Sequence, residues 1–389
     1  MSKSHGAKVR IKNMDKVLLV ITLLLIIFGT LNIVTASSRE AVINADANLF
    51  YYFFRHSIIL FLGLIGFLII IRVPTKNYKI FIKTIYLVFL GLNLFLILKG
   101  VATRGAANWI KLGFFNLQPS EFTKPLMIIY LAILFEKYEK VLLNPNLKHD
   151  IIIWKILGYG IIPVVLVFLQ KDLGTATILF LIFGTLFISS PISKGEKIKS
   201  VMIVAAIGAL GLFTMLSFTG YILSDSQMSR FDFYDPCSKY ETSGYQVCNA
   251  FIAINNGGLT GVGLGKSTQK YSYIPEPHTD MVFSIIAEEN GFIVCTLIFI
   301  AYIIILYRLI KLSLKTNIIR NRYICLGTSM YIFSHILINL GGLFGIIPLT
   351  GVPLPFFSYG GSFTLSLIAI LTVIQRIHIE YKHERIKIR

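Results

Sequence analysis

The chain has 389 residues, of which 55% are hydrophobic and only 14% charged, against about 25% charged in an ordinary soluble domain. A mean hydropathy of +0.73 excludes a water-soluble globule, which could not cover its own surface. Long apolar runs rather than alternating ones exclude a membrane β-barrel, and the net charge of +18 needs an explanation other than solubility.

Ten apolar runs read as membrane-spanning helices, at about 17–35, 54–71, 80–98, 122–136, 151–169, 174–190, 200–223, 282–307, 323–346 and 361–379. About 20 apolar residues cross a bilayer as a helix, and a helix satisfies its own backbone there. The expected fold is all-α: a polytopic membrane protein of about ten transmembrane helices, one domain over 1–389. The first run follows a basic N-terminus without a small-x-small cleavage signature, so it reads as a retained anchor. With the N-terminus in the cytoplasm, 26 of 37 Lys and Arg fall inside, but only 7 of 19 Asp and Glu. The inside then carries +19 and the outside −1, which fits N-in, C-in by the positive-inside rule. The basic balance is a signal of topology and of anionic lipid. Scattered over several loops, it does not point to nucleic acid.

There are no low-complexity tracts and no short repeat. Two outside loops are substantial. The first, about Lys99–Glu121, carries Arg104, Asn108, Trp109, Lys111, Gln118, Pro119 and Ser120. The second, 224–281 between spans seven and eight, is rich in glycine and aromatic residues and reads as ordered rather than as a linker. It holds Cys237 and Cys248, which an oxidising exterior would join. A bridge over about ten residues stabilises by roughly 3 kcal/mol. Two unpaired thiols or a metal site are the alternatives, though no clustered His is nearby. Cys295 and Cys325 fall in apolar runs and read as packing residues.

Polar residues in and beside apolar helices carry the best signal. Lys171-Asp172 sits where span five meets span six. It is either an exposed pair or part of an outer cavity, with Asp172 facing a cation from another loop. Pro275-Glu276-Pro277-His278-Thr279-Asp280 precedes span eight. Two prolines favour a stiff, extended approach, and Thr279 or Asp280 would be a natural helix N-cap. Held by its neighbours, the Asp280 carboxylate can serve as a general base. Glu288 and Glu289 lie roughly 12 Å further along span eight. They read as structural groups bonded within the bundle to Asn339, His335 or Ser358.

Gly257 to Gly265 resembles a phosphate loop superficially, but no strand precedes it. It reads as a tight-backbone turn. The segment 345–362, with its prolines and glycines, cannot be one helix. It is either a tight turn or broken backbone lining a wet cavity. With Arg104, Lys111, Arg230, Lys266 and Lys270 on the outer side, an anionic lipid headgroup is the natural ligand. The residues alone leave three classes open: a membrane glycosyl- or acyltransferase, a lipid translocase or transporter, and a non-catalytic scaffold.

Taken in order, Asn108-Trp109-Ile110, Gln118 through Phe122, Asp172-Leu-Gly-Thr-Ala, Arg230-Phe231, Asp235-Pro236, Gly244-Tyr245-Gln246, the glycine run, His278-Thr279-Asp280, Glu288-Glu289 and Pro348 through Ser362 resemble the SEDS family. These are the shape, elongation, division and sporulation proteins FtsW, RodA and SpoVE. The Pro-Glu-Pro-His-Thr-Asp context looks most like the division branch, FtsW. The resemblance implies a peptidoglycan glycosyltransferase. It would polymerise lipid II on the outer face of the bacterial cytoplasmic membrane, with a class B penicillin-binding transpeptidase and other division or elongation proteins as partners. It puts the catalytic aspartate on Asp280. Arg104, Lys111, Asp172, Arg230, His278, Glu276, Lys266 and Ser358 become substrate-binding or supporting residues. Asp172 would order a cation or a metal. No cofactor is certain, with a divalent cation, magnesium or manganese, as the one to test. A lipid-linked precursor translocase (flippase) and a division scaffold are the alternatives. Three departures stand out: His335 where relatives usually carry Gln, Pro277 before the His, and the cysteine pair.

Overall fold

The computed structural model describes residues 12–44, 48–99, 108–111, 116–144, 150–219, 235–241, 244–271 and 274–388. Arg104 and Arg230 lie outside these. Each expected span is matched by a long helix. These are α1 (Lys16–Ala36), α3 (Tyr51–Ile70), α4 (Tyr78–Lys99), α5 (Pro119–Leu142), α6 (Asp150–Leu169), α7 (Leu173–Ser189), α8 (Lys194–Thr219), α10 (Val282–Lys315), α11 (Ile319–Leu343) and α12 (Gly361–Ile388). By length and composition, seven of the described helices can cross a membrane; α7 is apolar but shorter. Two helices were not foreseen: α2 (Ser38–Asn44) and α9 (Tyr245–Gly257). A two-residue ladder, β1 (Ile110–Lys111) with β2 (Asn116–Leu117), runs antiparallel ahead of α5.

Helix ends follow local chemistry. Asp15 caps α1, its carboxylate accepting from Leu18 N at 3.1 Å. Pro119 starts α5, where its missing N–H costs nothing. Every residue from Met127 to Phe135 on α5 is buried, the mark of a helix surrounded by others. It packs on α4 and α11. Leu24, Phe61, Leu98, Ile188, Ile303 and Leu314 instead face outward, as lipid-facing side chains would.

The long helix α10 is broken at Gly291, with φ 76° and ψ 179°. The break would strand backbone groups, and the glycine run after α9 takes them up. Val262 N and Gly263 N donate to Glu288 O and Glu289 O at 2.9 and 3.0 Å. Phe292 N and Ile293 N donate to Gly258 O and Leu259 O at 2.9 and 3.2 Å. A Cβ on Gly261 would lie 2.3 Å from Glu289 O, so only glycine permits this approach. The run is therefore a plug against a broken helix. From Phe292 to Lys315 α10 still rises about 36 Å, enough to span a bilayer on its own.

Glu288 and Glu289 are structural groups, but not with the expected partners. Glu288 accepts from Asn256 Nδ2, Thr268 N and Oγ1, Gln269 N and the Ser267 hydroxyl. Glu289 pairs with buried Lys270 at 2.8 Å. Neither bonds Asn339, His335 or Ser358, because the glycine run brings residues 256–270 down onto α10 first. Lys270 is thereby withdrawn from the set of substrate-facing cations. Cys237 and Cys248 are disulfide-bonded, fastening a 3-10 turn at Pro236–Lys239 to α9. Cys295 and Cys325 are buried and free.

Candidate active site

Four segments meet around Asp280. The first is its own turn. Thr279 N donates to Glu276 O at 3.0 Å, and Glu276 takes a left-handed φ of 46°. The approach to α10 is thus a tight turn rather than the extended strut that the prolines suggested. Nor does Asp280 or Thr279 cap the helix: Met281 is the N-cap residue and makes no side-chain cap. The Thr279 hydroxyl lies 2.7 Å from Glu276 O and 3.0 Å from Asp280 Oδ1. With one proton it serves one of these at a time. Asp280 itself is half-buried.

The second segment is α11. Asn339 Nδ2 donates both to Asp280 O at 2.7 Å and to Val352 O at 2.8 Å. One buried amide therefore ties the catalytic turn to the third segment, the non-helical stretch 345–360. That stretch is broken backbone, exposed at Ile346 and Gly351 and buried from Leu354 to Ser358. Its carbonyls go to side chains: Pro353 O to His335 Nδ1 at 3.1 Å, and Pro355 O to the Tyr302 hydroxyl at 2.6 Å. Ser358 Oγ accepts from Leu354 N at 2.7 Å, so this serine holds the turn. Gly351, with φ 72°, lies beside the carboxylate: a Cβ there would sit 3.8 Å from Asp280 Oδ2.

The fourth segment is the start of α7. Asp172 caps it, accepting from Thr175 N at 3.0 Å. Its other oxygen accepts from Asn108 Nδ2 at 2.8 Å and Gln118 Nε2 at 3.0 Å. Among the described residues its hydrogen-bond donors are amides, because Asn108 and Gln118 lie folded over the helix end. Gly174 of the same turn presses on residues 350–352. The Asp280 carboxylate and the turn that carries Asp172 thus both meet residues 350–352.

His278 turns away from Asp280. It is buried against the rings of Tyr52 and Tyr359, at 4.4 and 5.4 Å between centroids. Its Nδ1 lies 3.6 Å from Glu40 Oε2 on α2, too long for a charge-assisted hydrogen bond. Burial therefore dominates and pushes the imidazole down to about 4, so His278 is neutral at neutral pH. Its carbonyl accepts from Tyr359 N at 2.8 Å, a second tie between turn and broken segment. Lys111 and Lys266 are exposed.

One group escaped the sequence reading. Lys124, fully buried on α5, pairs with Glu121 at 2.7 Å and reaches His335 Nε2 at 3.1 Å. A lysine inside an apolar run was the signal available.

The family model described as "Cell cycle protein", that of FtsW, RodA and SpoVE, matches residues 15–383. The chain belongs to this family. A probable peptidoglycan glycosyltransferase FtsW of Wigglesworthia glossinidia brevipalpis is 31% identical, covering 95% of this chain and 94% of the relative. Stage V sporulation protein E of Bacillus subtilis is 32% identical, covering 92% and 94%. Among solved structures, Thermus thermophilus RodA superimposes with a TM-score of 0.66 at 23% identity, covering 94% and 96%. A chain of a peptidoglycan synthase complex, solved for its coordination of polymerization and crosslinking, gives 0.71 at 21%, covering 94% and 97%. At these identities the structural likeness is one of fold.

Proposed function

We propose that the protein is a peptidoglycan glycosyltransferase that polymerises lipid II into glycan strands, acting in cell division. The supporting observation is the placing of Asp280. Asp280 is half-buried, its backbone is gripped by Asn339, and Gly351 lies beside its carboxylate. The relatives named as probable peptidoglycan glycosyltransferases FtsW share nearly the full length. The charge asymmetry supports ten spans, N-in and C-in, with Asp280 at the outer face.

In the reaction, Asp280 accepts the proton of the acceptor sugar's 4-hydroxyl. That oxygen attacks C1 of the donor's lipid-linked sugar from the opposite face. The bond from C1 to the pyrophosphate oxygen breaks, and the undecaprenyl pyrophosphate leaves with the electron pair, inverting C1. Positive groups near the leaving pyrophosphate stabilise its charge. Lys111 and Lys266 are exposed for this, with Arg104 and Arg230 as further members. Among the described residues no three His, Cys, Asp or Glu gather to hold a metal ion. A magnesium or manganese ion here would be held by one or two carboxylates together with the substrate's pyrophosphate. A class B penicillin-binding transpeptidase is the proposed partner; the synthase complex whose chain shares this fold supports it.

The test is purified protein in detergent with lipid II, with and without a transpeptidase partner. Glycan strands are expected. Movement of headgroups across proteoliposomes without polymer in any condition would replace this reading with a translocase.

A further inference from the structure

Resting on the glycosyltransferase reading, we propose that His335 is a positioning residue for Asp280, working through a line of hydrogen bonds that begins at the buried Lys124–Glu121 pair. The ring is fully buried on α11. It stacks on Phe363 at 4.5 Å between centroids and meets Tyr331 edge-on at 4.9 Å, so its plane is fixed. Its two nitrogens face groups of opposite kind. Lys124 Nζ, 3.1 Å from Nε2, can only donate as an ammonium. Pro353 O, 3.1 Å from Nδ1, can only accept. The ring must therefore be neutral, protonated at Nδ1 and accepting at Nε2. Beside an ammonium, no other state of the ring satisfies both neighbours.

The consequence lies at the far end. Pro353 O is held by His335, and the adjacent Val352 O is held by Asn339 one turn further along α11. The same Asn339 amide holds Asp280 O. The strip carrying Gly351 and the turn carrying Asp280 are thus both referenced to one face of α11. Lys124, itself locked to Glu121 at 2.7 Å, fixes the ring that holds the strip. Release of Pro353 O would let the strip drift relative to the carboxylate without altering the exposed cations. The rate of the chemical step should suffer and substrate affinity should not. A glutamine amide offers one acceptor and one donor in a plane, so it can restore both bonds; leucine fills similar space and offers neither.

The test compares wild type, His335→Gln and His335→Leu as full-length protein in detergent with its transpeptidase partner, over a range of lipid II concentrations. His335→Leu should lose about tenfold to a hundredfold in kcat, the range that sub-ångström to 1 Å misplacement produces, with KM within about twofold. His335→Gln should stay within about threefold of wild type. A wild-type kcat for His335→Leu, or a Gln variant as impaired as the Leu variant, overturns the proposal. Nitrogen-15 imidazole spectra of the wild type, assigned by the resonance lost in His335→Gln, test it without relying on a variant's folding. A neutral ring protonated at Nδ1 is expected; protonation at Nε2 overturns it. A wild-type preparation that makes no polymer would instead refute the proposed function, and the imidazole spectrum would still decide the hydrogen-bond line.

Discussion

Replacing Gly174 by alanine disturbs the site without touching a charged group. A Cβ at Gly174 would lie 2.7 Å from Val352 Cγ2 and 2.8 Å from Thr350 Cβ. Carbon atoms in contact sit about 3.5–4.0 Å apart, so the strip must retreat by about 1 Å. Valine and threonine are branched at Cβ and cannot swing clear, so the backbone carries the shift. Overpacking of this kind costs about 1–3 kcal/mol of stability, leaving a folded protein. The displaced strip contains Gly351, whose Cβ position is 3.8 Å from Asp280 Oδ2. A 1 Å error at a reacting group can cost about a hundredfold in rate. Gly184 on the same helix has nothing within 4 Å of its Cβ position, so Gly184→Ala is the matched control. Initial rates of glycan formation from labelled lipid II, with thermal unfolding in the same detergent, give both quantities. The expected result is a Gly174→Ala protein that folds but polymerises about a hundredfold slower, beside a Gly184→Ala protein at wild-type rate. Wild-type activity in Gly174→Ala would refute the claim that the strip 350–352 sets the geometry.

Acid should loosen the site through His278. Its ordinary value of 6.5 is pushed down to about 4 by burial, so between these the unfolded chain binds the extra proton. Stability from this group is complete above pH 6.5 and is lost as pH falls towards 4, by about 3 kcal/mol at most; melting curves of His278→Phe should show a shallower decline, and equal slopes would contradict the assignment. Removing the disulfide by Cys237→Ser with Cys248→Ser opens a loop with a sequence separation of 11. It should lower stability by about 2–3 kcal/mol, read as faster amide exchange in α9. Lys270→Met strands the buried Glu289 carboxylate and should cost about 3–5 kcal/mol. Thermal unfolding measures that loss, and adding Glu289→Gln should recover much of it.

The long helices were legible because each contains an apolar run, and hydropathy needs no tertiary information. What escaped the sequence depended on neighbours. The short helix α2 carries too few apolar residues to announce itself. The break at Gly291 is invisible in a continuous run, since its stability comes from the glycine run some thirty residues earlier in the chain. Asp280 could be singled out as a carboxylate beside a helix, but the two prolines misled about its turn. The left-handed Glu276 closes a turn held by the bonds from Thr279, which the two prolines do not announce. Asp172 was legible as a carboxylate beside a helix start, but its amide partners were not, because the folding back of Asn108 and Gln118 is a long-range event. Lys124 was readable as a charge in an apolar run; its link to His335 required the packing of α5 on α11.

Asp280→Asn tests the central claim most directly. The amide keeps the shape and leaves the Asn339 bond to the Asp280 carbonyl intact, but it cannot take a proton. In detergent, with lipid II and the transpeptidase partner, the Asp280→Asn protein should unfold at the wild-type temperature and form no glycan strands. Polymerisation at the wild-type rate by that folded protein would contradict the assignment of Asp280 as the base.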